Sequence, residues 1–356
     1  RTALLEARFL SGNTKLFAQL RRNFWRDVSH DTQLDFVKAK LVERDKRHIR
    51  MGDSRYVLEP NVKDGKGGLR DLQTLFWIAK YLYRVETVSA LIKQDFLTSK
   101  EVGRFAKAEN FLWTVRCHLH YLTGRAEDRL TFDLQSEISE KLGYKNHAGT
   151  RGIERFMKHY YLTAKEVGDL TRIFCAALES EQGQRTPFSF LGLPWLHREI
   201  SGFPIQAGRL SVSSAKEFAD NPTRMLLLFF IAQKHVLDIH PKALRSVTRH
   251  LRRIDAIRND PEANRLFLKI LTSPTGAETT LRRMNEAGLF GRFVPDFGRV
   301  VAQMQHDMYH VFTVDEHTIF AIGILHGIER GHFQKDMPLA GDIVAKISSR
   351  RALFVA

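Results

Sequence analysis

Residues 59–73 read EPNVKDGKGGLRDLQ, and the organisation of the chain can be read outward from this stretch. Gly65, Gly67 and Gly68 free the backbone for positive φ and for close approach to another group. Lys63, Lys66 and Arg70 place positive charge around the same turn. Leu72, Leu75, Phe76, Ala79 and Leu82 then recur at helical spacing, so a helix is expected to begin between Leu69 and Asp71. Amides at a helix start attract anions, and a basic glycine turn feeding such a start suits a nucleotide phosphate. The same residues also describe a tight turn whose arginine and aspartate pair internally.

Helical periodicity continues on the C-terminal side. Phe105, Ala108, Leu112, Val115, Leu119 and Leu122 step by three and four, as do Ile153, Phe156, Tyr160, Ala164, Val167 and Phe174. Strand-like text is confined to residues 2–10 (TALLEARFL) and 55–58 (RYVL), which are expected to belong to one small sheet. Residues 179–186 (ESEQGQRT) form the clearest linker candidate, and 187–204 read as an irregular, glycine- and proline-rich connection. Helical text resumes at Ser214, with breaks at Pro222, Pro241, Pro261 and Pro274. The expected architecture is mainly α, with a small α/β remnant at the front.

Composition narrows the possible partners. Hydrophobic residues at 43% and charged residues at 27% are ordinary for a globular protein, and 356 residues leave room for two or three domains. The longest apolar run, residues 225–232 (MLLLFFIA), is far short of the roughly 20 residues that span a bilayer, so no membrane partner is expected. Cys117 and Cys175 fall among core-type residues on helical patterns and match no metal or redox spacing. A reducing, cytoplasmic setting without a structural disulfide is expected. The 55 basic against 40 acidic residues give +15, which favours nucleotides, nucleic acids or acidic protein surfaces. Arg245, Arg249, Arg252 and Arg253 lie at helical spacing opposite Leu244, Val247, Leu251 and Ile254, the pattern of a solvated helix face. A nucleic-acid groove usually interleaves aromatics or glycines, which are missing there, so nucleic acid is not the expected partner.

The wording of residues 59–73 resembles the E-P-N-x-K-x-G-x-G-G-L-R-D-x-Q block of PII uridylyltransferases, and a related block occurs in glutamine synthetase adenylyltransferases. Residues 4–12 (LLEARFLSG) resemble the strand that ends the family's nucleotidyltransferase fold. Residues 111–142 resemble its following helical segment, and 308–318 (MYHVFTVDEHT) the entry to its HD phosphohydrolase domain. The resemblance implies a nucleotidyltransferase remnant over 1–60, a helical uridylyltransferase-associated domain over 61–180 and an irregular linker over 181–213. A helical connecting region over 214–305 and a truncated HD-type helical domain over 306–356 would follow. Both chain ends read as cuts through folded elements, so this chain is expected to be inactive by itself.

The implied chemistry is transfer of UMP from UTP to a tyrosine of the PII nitrogen-regulatory protein, and hydrolytic removal of the same group. Glutamine would act as effector through regions absent here. Mg²⁺ or Mn²⁺ is the implied cofactor. Glu6 matches the family's third catalytic carboxylate; a surface residue paired to Arg8 is the plainer reading. Asn61, Lys63, Gly67, Gly68, Arg70 and Asp71 are the nucleotide-binding candidates. His317 matches the first metal-binding histidine of HD hydrolases, on a helix that Thr313 and Glu316 would start as a capping box. His306 and His310, one helical turn apart, lack a third ligand. The competing classes are a basic helical nucleic-acid-binding module and a template-independent RNA nucleotidyltransferase.

Overall fold

The computed structural model describes residues 2–28, 30–52, 54–94, 96–147, 149–184, 199–206, 208–214, 216–304 and 312–356. Two compact units are present, Arg1–Phe174 and Cys175–Ala356.

The first unit is built from α1 (Thr2–Leu5), α2 (Thr14–Arg26), α3 (His30–Arg50), α4 (Leu69–Tyr83), a 3₁₀ turn (Val88–Ile92), α5 (Ser99–Thr123) and α6 (Phe132–Lys141). The long α7 (Gly152–Gln184) contains the division between the units. Helix α5 starts on a complete capping box: the Glu101 amide donates to Thr98 Oγ1 at 3.3 Å and the Thr98 amide donates to Glu101 Oε2 at 2.8 Å. It stops at Gly124, whose φ of 63° ends the helix in the left-handed region. Phe105, Ala108, Leu112, Val115 and Leu119 of α5 are buried, as are Ile153, Phe156, Tyr160, Ala164, Val167 and Phe174 of α7. The periodic faces are therefore the core faces. Each such fully buried large apolar side chain contributes about 1.5–3 kcal/mol.

The expected strands at the front do not form. Residues 2–5 are helical, and the carbonyl of Leu5 accepts from Lys80 Nζ at 3.4 Å rather than from a ladder. At 55–58, the Val57 carbonyl accepts from Tyr161 Oη at 3.1 Å and the Leu58 carbonyl from Gln135 Nε2 at 2.7 Å. Side chains of α7 and α6 thus satisfy backbone groups that a neighbouring strand would otherwise have had to meet.

The strands lie instead in the second unit. β1 (Glu199–Ile200), β2 (Phe203–Gln206) and β3 (Arg209–Leu210) form an antiparallel sheet in that order. Ser201 and Gly202, at φ of 54° and 77°, make the tight reversal between β1 and β2. The mainly helical expectation with a small sheet holds, but the irregular connection expected over 181–213 contains that sheet. The linker expected from 179 is helical as far as Gln184, because its residues are good helix formers apart from one tolerated glycine.

Helices α8 (Glu217–Asp220), α9 (Thr223–Lys234) and α10 (Pro241–His250) follow, then a 3₁₀ turn (Leu251–Ile257) and α11 (Pro261–Leu271). Next come α12 (Ala277–Glu286), α13 (Leu289–Phe293), α14 (Pro295–Val300), α15 (Val314–Glu329), α16 (Pro338–Lys346) and α17 (Arg350–Val355). Pro241 and Pro261 sit at first helical positions, where the missing N–H costs nothing. Phe203, Leu210, Phe229, Leu266, Leu281 and Leu289 belong to one apolar core. Val247 and Ile254 are buried while Arg249, Arg252 and Arg253 are exposed, so three of the four clustered arginines lie on a solvated face, and Arg245 is half-buried. Cys117, expected among core residues, is exposed on α5. Among the described residues no helix is long and apolar enough to cross a membrane.

Candidate functional site

The glycine block folds into a closed turn ahead of α4. Asn61 Oδ1 accepts from the amides of Lys63 at 3.1 Å and Asp64 at 2.6 Å, an Asx-type turn. The Gly65 amide returns to Asn61 O at 3.0 Å and the Gly68 amide to Gly65 O at 2.9 Å. At the start of α4, Leu69 N donates to Val62 O at 3.0 Å, Arg70 N to Lys63 O at 2.8 Å and Asp71 N to Gly68 O at 3.0 Å. The amides expected to face a phosphate are therefore taken by the loop's own carbonyls.

The glycines do permit close approach, but the approaching group is protein backbone. A Cβ on Gly67, at φ +83°, would lie 2.5 Å from Ala164 O of α7. One on Gly68 would lie 2.7 Å from Val62 O, and one on Gly65 2.5 Å from Asn61 O.

Asp71 holds this turn to α3. The residue is 3% exposed, and its carboxylate accepts from Gly67 N at 2.8 Å. His48 Nε2 lies 2.9 and 3.0 Å from its two oxygens, and Arg47 Nη2 bonds Oδ1. Burial alone would raise its pKa. The hydrogen bond and charge of His48, then the charge of Arg47 and the Gly67 amide, outweigh burial and hold the carboxyl below the usual aspartate value. On the opposite flank Lys63 Nζ is 3.3 Å from Asp128, which also binds Arg116 at 2.7 Å and His120 at 3.2 Å. Burial opposes ionisation of Asp128 too, and those three partners bring its pKa down. Arg47, His48, Arg116, His120 and Asp128 escaped sequence reasoning. The basic run at 44–50 (RDKRHIR) was the one local signal for the first two.

Beside the turn lies a groove of about 530 Å³. Lys40, Lys46, Arg47 and Arg50 of α3 line it, with Arg70 from the glycine block and Trp77 of α4; Glu43 and Asp64 are its acidic members. Five cationic side chains thus face two carboxylates. Lys40 Nζ lies 5.5 Å and Arg70 Cζ 5.4 Å from the Trp77 ring centre. Lys40 pairs with Glu43 at 2.6 Å and Arg70 reaches Asp64 at only 3.5 Å.

Of the residues singled out in the sequence, only Arg70 lines this groove. Asn61, Gly67, Gly68 and Asp71 shape the turn, and Lys63 is turned to Asp128. Glu6 is not in the expected strand. It follows α1 in a separate cavity of about 190 Å³, with its carboxylate 3.3 Å from Lys80 Nζ rather than paired to Arg8. The carboxyl of Glu109 is pushed up by burial and by the charge of Glu6.

In the second unit, Thr313 is the N-cap of α15 as expected, but the capping box is not made. Thr313 Oγ1 is buried without a hydrogen-bond partner among the described residues, and the Glu316 carboxylate, which would have accepted from the Thr313 amide, turns instead to Arg282 at 2.9 Å. Asp315 accepts from Asn285 Nδ2 at 2.8 Å and from Ala302 N at 3.2 Å, while His317 is exposed. His306 and His310 lie outside the described residues. Among the described residues no three His, Cys, Asp or Glu side chains gather as a metal site. Glu6 faces an ammonium group and the carboxylates beside His317 are engaged elsewhere, so this donor set does not fit Mg²⁺ or Mn²⁺.

A family model described as GlnD PII-uridylyltransferase matches residues 35–175, which include α3 from Asp35 onward, the glycine block and the charged side chains that line the groove. A second, described as the uridylyltransferase GlnD third domain, matches residues 203–293. Both models describe GlnD uridylyltransferases, and the chain is similar to a part of that family's proteins. Along its whole length it is 61% identical to the bifunctional uridylyltransferase/uridylyl-removing enzyme of Azospirillum brasilense. It is likewise 54% identical to that of Rhodospirillum rubrum and 51% to that of Novosphingobium aromaticivorans. The chain spans 38% of the length of the first two relatives and 39% of the third. No solved structure matches the chain.

Proposed function

We propose that this chain is part of an enzyme that transfers UMP from UTP to a tyrosine of the PII nitrogen-regulatory protein and hydrolyses the bond it made. The observation that carries the reading is 61% identity along the whole chain to a relative named for both activities. In the forward reaction the tyrosine oxygen bonds to the α-phosphorus of UTP as the bond to pyrophosphate breaks, and cations near the leaving pyrophosphate stabilise its growing charge.

Arg70 is the residue of the glycine block placed for that task, since it lines the groove and is only loosely held by Asp64. Asn61, Gly67, Gly68 and Asp71 hold the turn that presents it, and Lys63 steadies the other flank. Glu6 is the proposed catalytic carboxylate of the transfer, oriented by Lys80. His317 would serve the hydrolysis together with donors from elsewhere in the polypeptide. In this reading any Mg²⁺ or Mn²⁺ would be held by donors outside this chain, glutamine acts through regions outside this chain, and the setting is cytoplasmic.

The test is a chimera in which this chain replaces the matching segment of the Azospirillum brasilense relative. Label from UTP should appear on PII, and Arg70→Ala should raise the KM for UTP by about tenfold with an unchanged circular dichroism spectrum. A folded chimera that transfers no label overturns the function. Arg70→Ala with an unchanged KM removes Arg70 from the nucleotide.

A further inference from the structure

The groove beside the glycine block has a feature that the uridylyl reading does not use: its one aromatic ring is already occupied. Lys40 and Arg70 both sit within cation–π distance of Trp77, at 5.5 and 5.4 Å, and the indole is buried, so it organises cations and leaves little ring surface open to a nucleobase. The cations are incompletely neutralised. Lys46 and Arg50 are exposed and make no ion pair among the described residues. Arg47, whose side chain is 6% exposed, gives Nη2 to Asp71, yet its buried Nε has no hydrogen-bond partner among the described residues.

The arrangement also has length. Lys46 and Arg50 stand one turn apart on the same face of α3, about 6 Å along its axis. Arg70 approaches from the glycine turn. Such a row suits a chain of linked phosphates better than a single one, because each phosphate can meet a different cation.

We infer that this groove is a polyphosphate site that reads the phosphate chain of a nucleoside triphosphate and is blind to the base. The inference rests on the placement of Arg70 at the nucleotide. Selection of uridine then falls to residues outside the groove.

Calorimetry on this chain with inorganic tripolyphosphate, UTP, ATP and orthophosphate tests it. Tripolyphosphate, UTP and ATP should bind with affinities within about threefold of one another, and orthophosphate at least about tenfold more weakly. The double variant K46A/R50A removes two exposed side chains and should weaken all three triphosphates by about tenfold or more, with an unchanged circular dichroism spectrum. Raised salt should weaken the wild-type affinity in parallel.

Binding of UTP without binding of tripolyphosphate would show a base-reading site and overturn the inference. So would the absence of any binding, or an affinity indifferent to K46A/R50A. An active chimera whose groove ignores tripolyphosphate sinks the groove and leaves the function standing. Tripolyphosphate binding beside an inactive chimera does the reverse.

Discussion

Helices α4 and α15 begin alike and behave oppositely. Each carries a buried carboxylate at its third position, Asp71 in α4 and Glu316 in α15, where a helix start favours negative charge. Burial pushes both carboxyls up. At Asp71 it is outweighed by His48, Arg47 and the Gly67 amide, and the pKa falls. At Glu316 it is opposed by Arg282 alone, while Asp315 and Glu286 push in the same direction as burial, and the pKa rises. The helix terminus contributes the same field in both places. What differs is how many donors the tertiary fold brings to each buried oxygen, and that number sets the sign.

The largest effect should come from the close packing that positions the first of these helices. Gly67→Val places a side chain against the α7 backbone at a positive φ, and a loss of about 3 kcal/mol or more is expected in urea denaturation. Gly143→Ala is the control, because Gly143 also has positive φ (+75°) but nothing lies within 4 Å of its Cβ position. It should cost only about 1 kcal/mol. Equal losses would mean that the contact with Ala164 contributes nothing.

The next effect breaks the comparison directly. Asp71→Asn leaves Arg47 buried without its counter-charge and should cost about 3 kcal/mol at pH 7, whereas Glu316→Gln should cost about 1 kcal/mol. The pH dependences should have opposite signs. The folded pKa of Asp71 is depressed, so its contribution is present above the unfolded value of 3.8 and is lost as pH falls through the lower folded value. The folded pKa of Glu316 is raised, so its contribution becomes more favourable as pH falls through that value towards 4.5. Acid titration of stability should therefore flatten below pH 3.8 in Asp71→Asn and lose the opposing gain in Glu316→Gln. Parallel curves for the two variants would refute the contrast.

The smallest effect concerns the N-cap of α15. Thr313 Oγ1 is buried with no partner among the described residues, so Thr313→Val, which keeps the shape and removes the hydroxyl, should raise stability by about 0.5–1 kcal/mol. A loss of stability in thermal denaturation would indicate that the hydroxyl is satisfied after all.

Much of the helical framework was legible in the sequence. The buried faces of α5 and α7 follow from apolar residues three and four apart, a pattern that depends only on helix pitch. Residues 2–10 misled because a short mixed segment fits strand or helix equally, and only a neighbouring ladder could have made it a strand. At the glycine block the composition announced a close approach without saying to what. Ala164, whose carbonyl crowds Gly67, lies on a helix far along the chain. Arg70 stands next to Asp71 in sequence, yet adjacent helix positions face different directions, and the partners of Asp71 come from residues 24 and 23 positions earlier. Glu6 likewise meets Lys80 rather than the nearby Arg8.

The sequence by itself determined that α4, α5 and α7 are helical and which faces α5 and α7 bury, that α4 begins within residues 69–71, and that helices begin at or beside Pro222, Pro241 and Pro261, because proline position and 3.6-residue periodicity act within one or two turns. It also marked residues 59–73 as the segment of special backbone, since three glycines in four positions leave few other reasons to be there. Only the tertiary structure decided that the turn's amides are closed on themselves, that α3 supplies the cations of the groove, and that Asp71 and Glu316 titrate in opposite directions. Those outcomes depend on distances between atoms remote in the chain, and Coulomb and desolvation energies are functions of those distances rather than of sequence spacing.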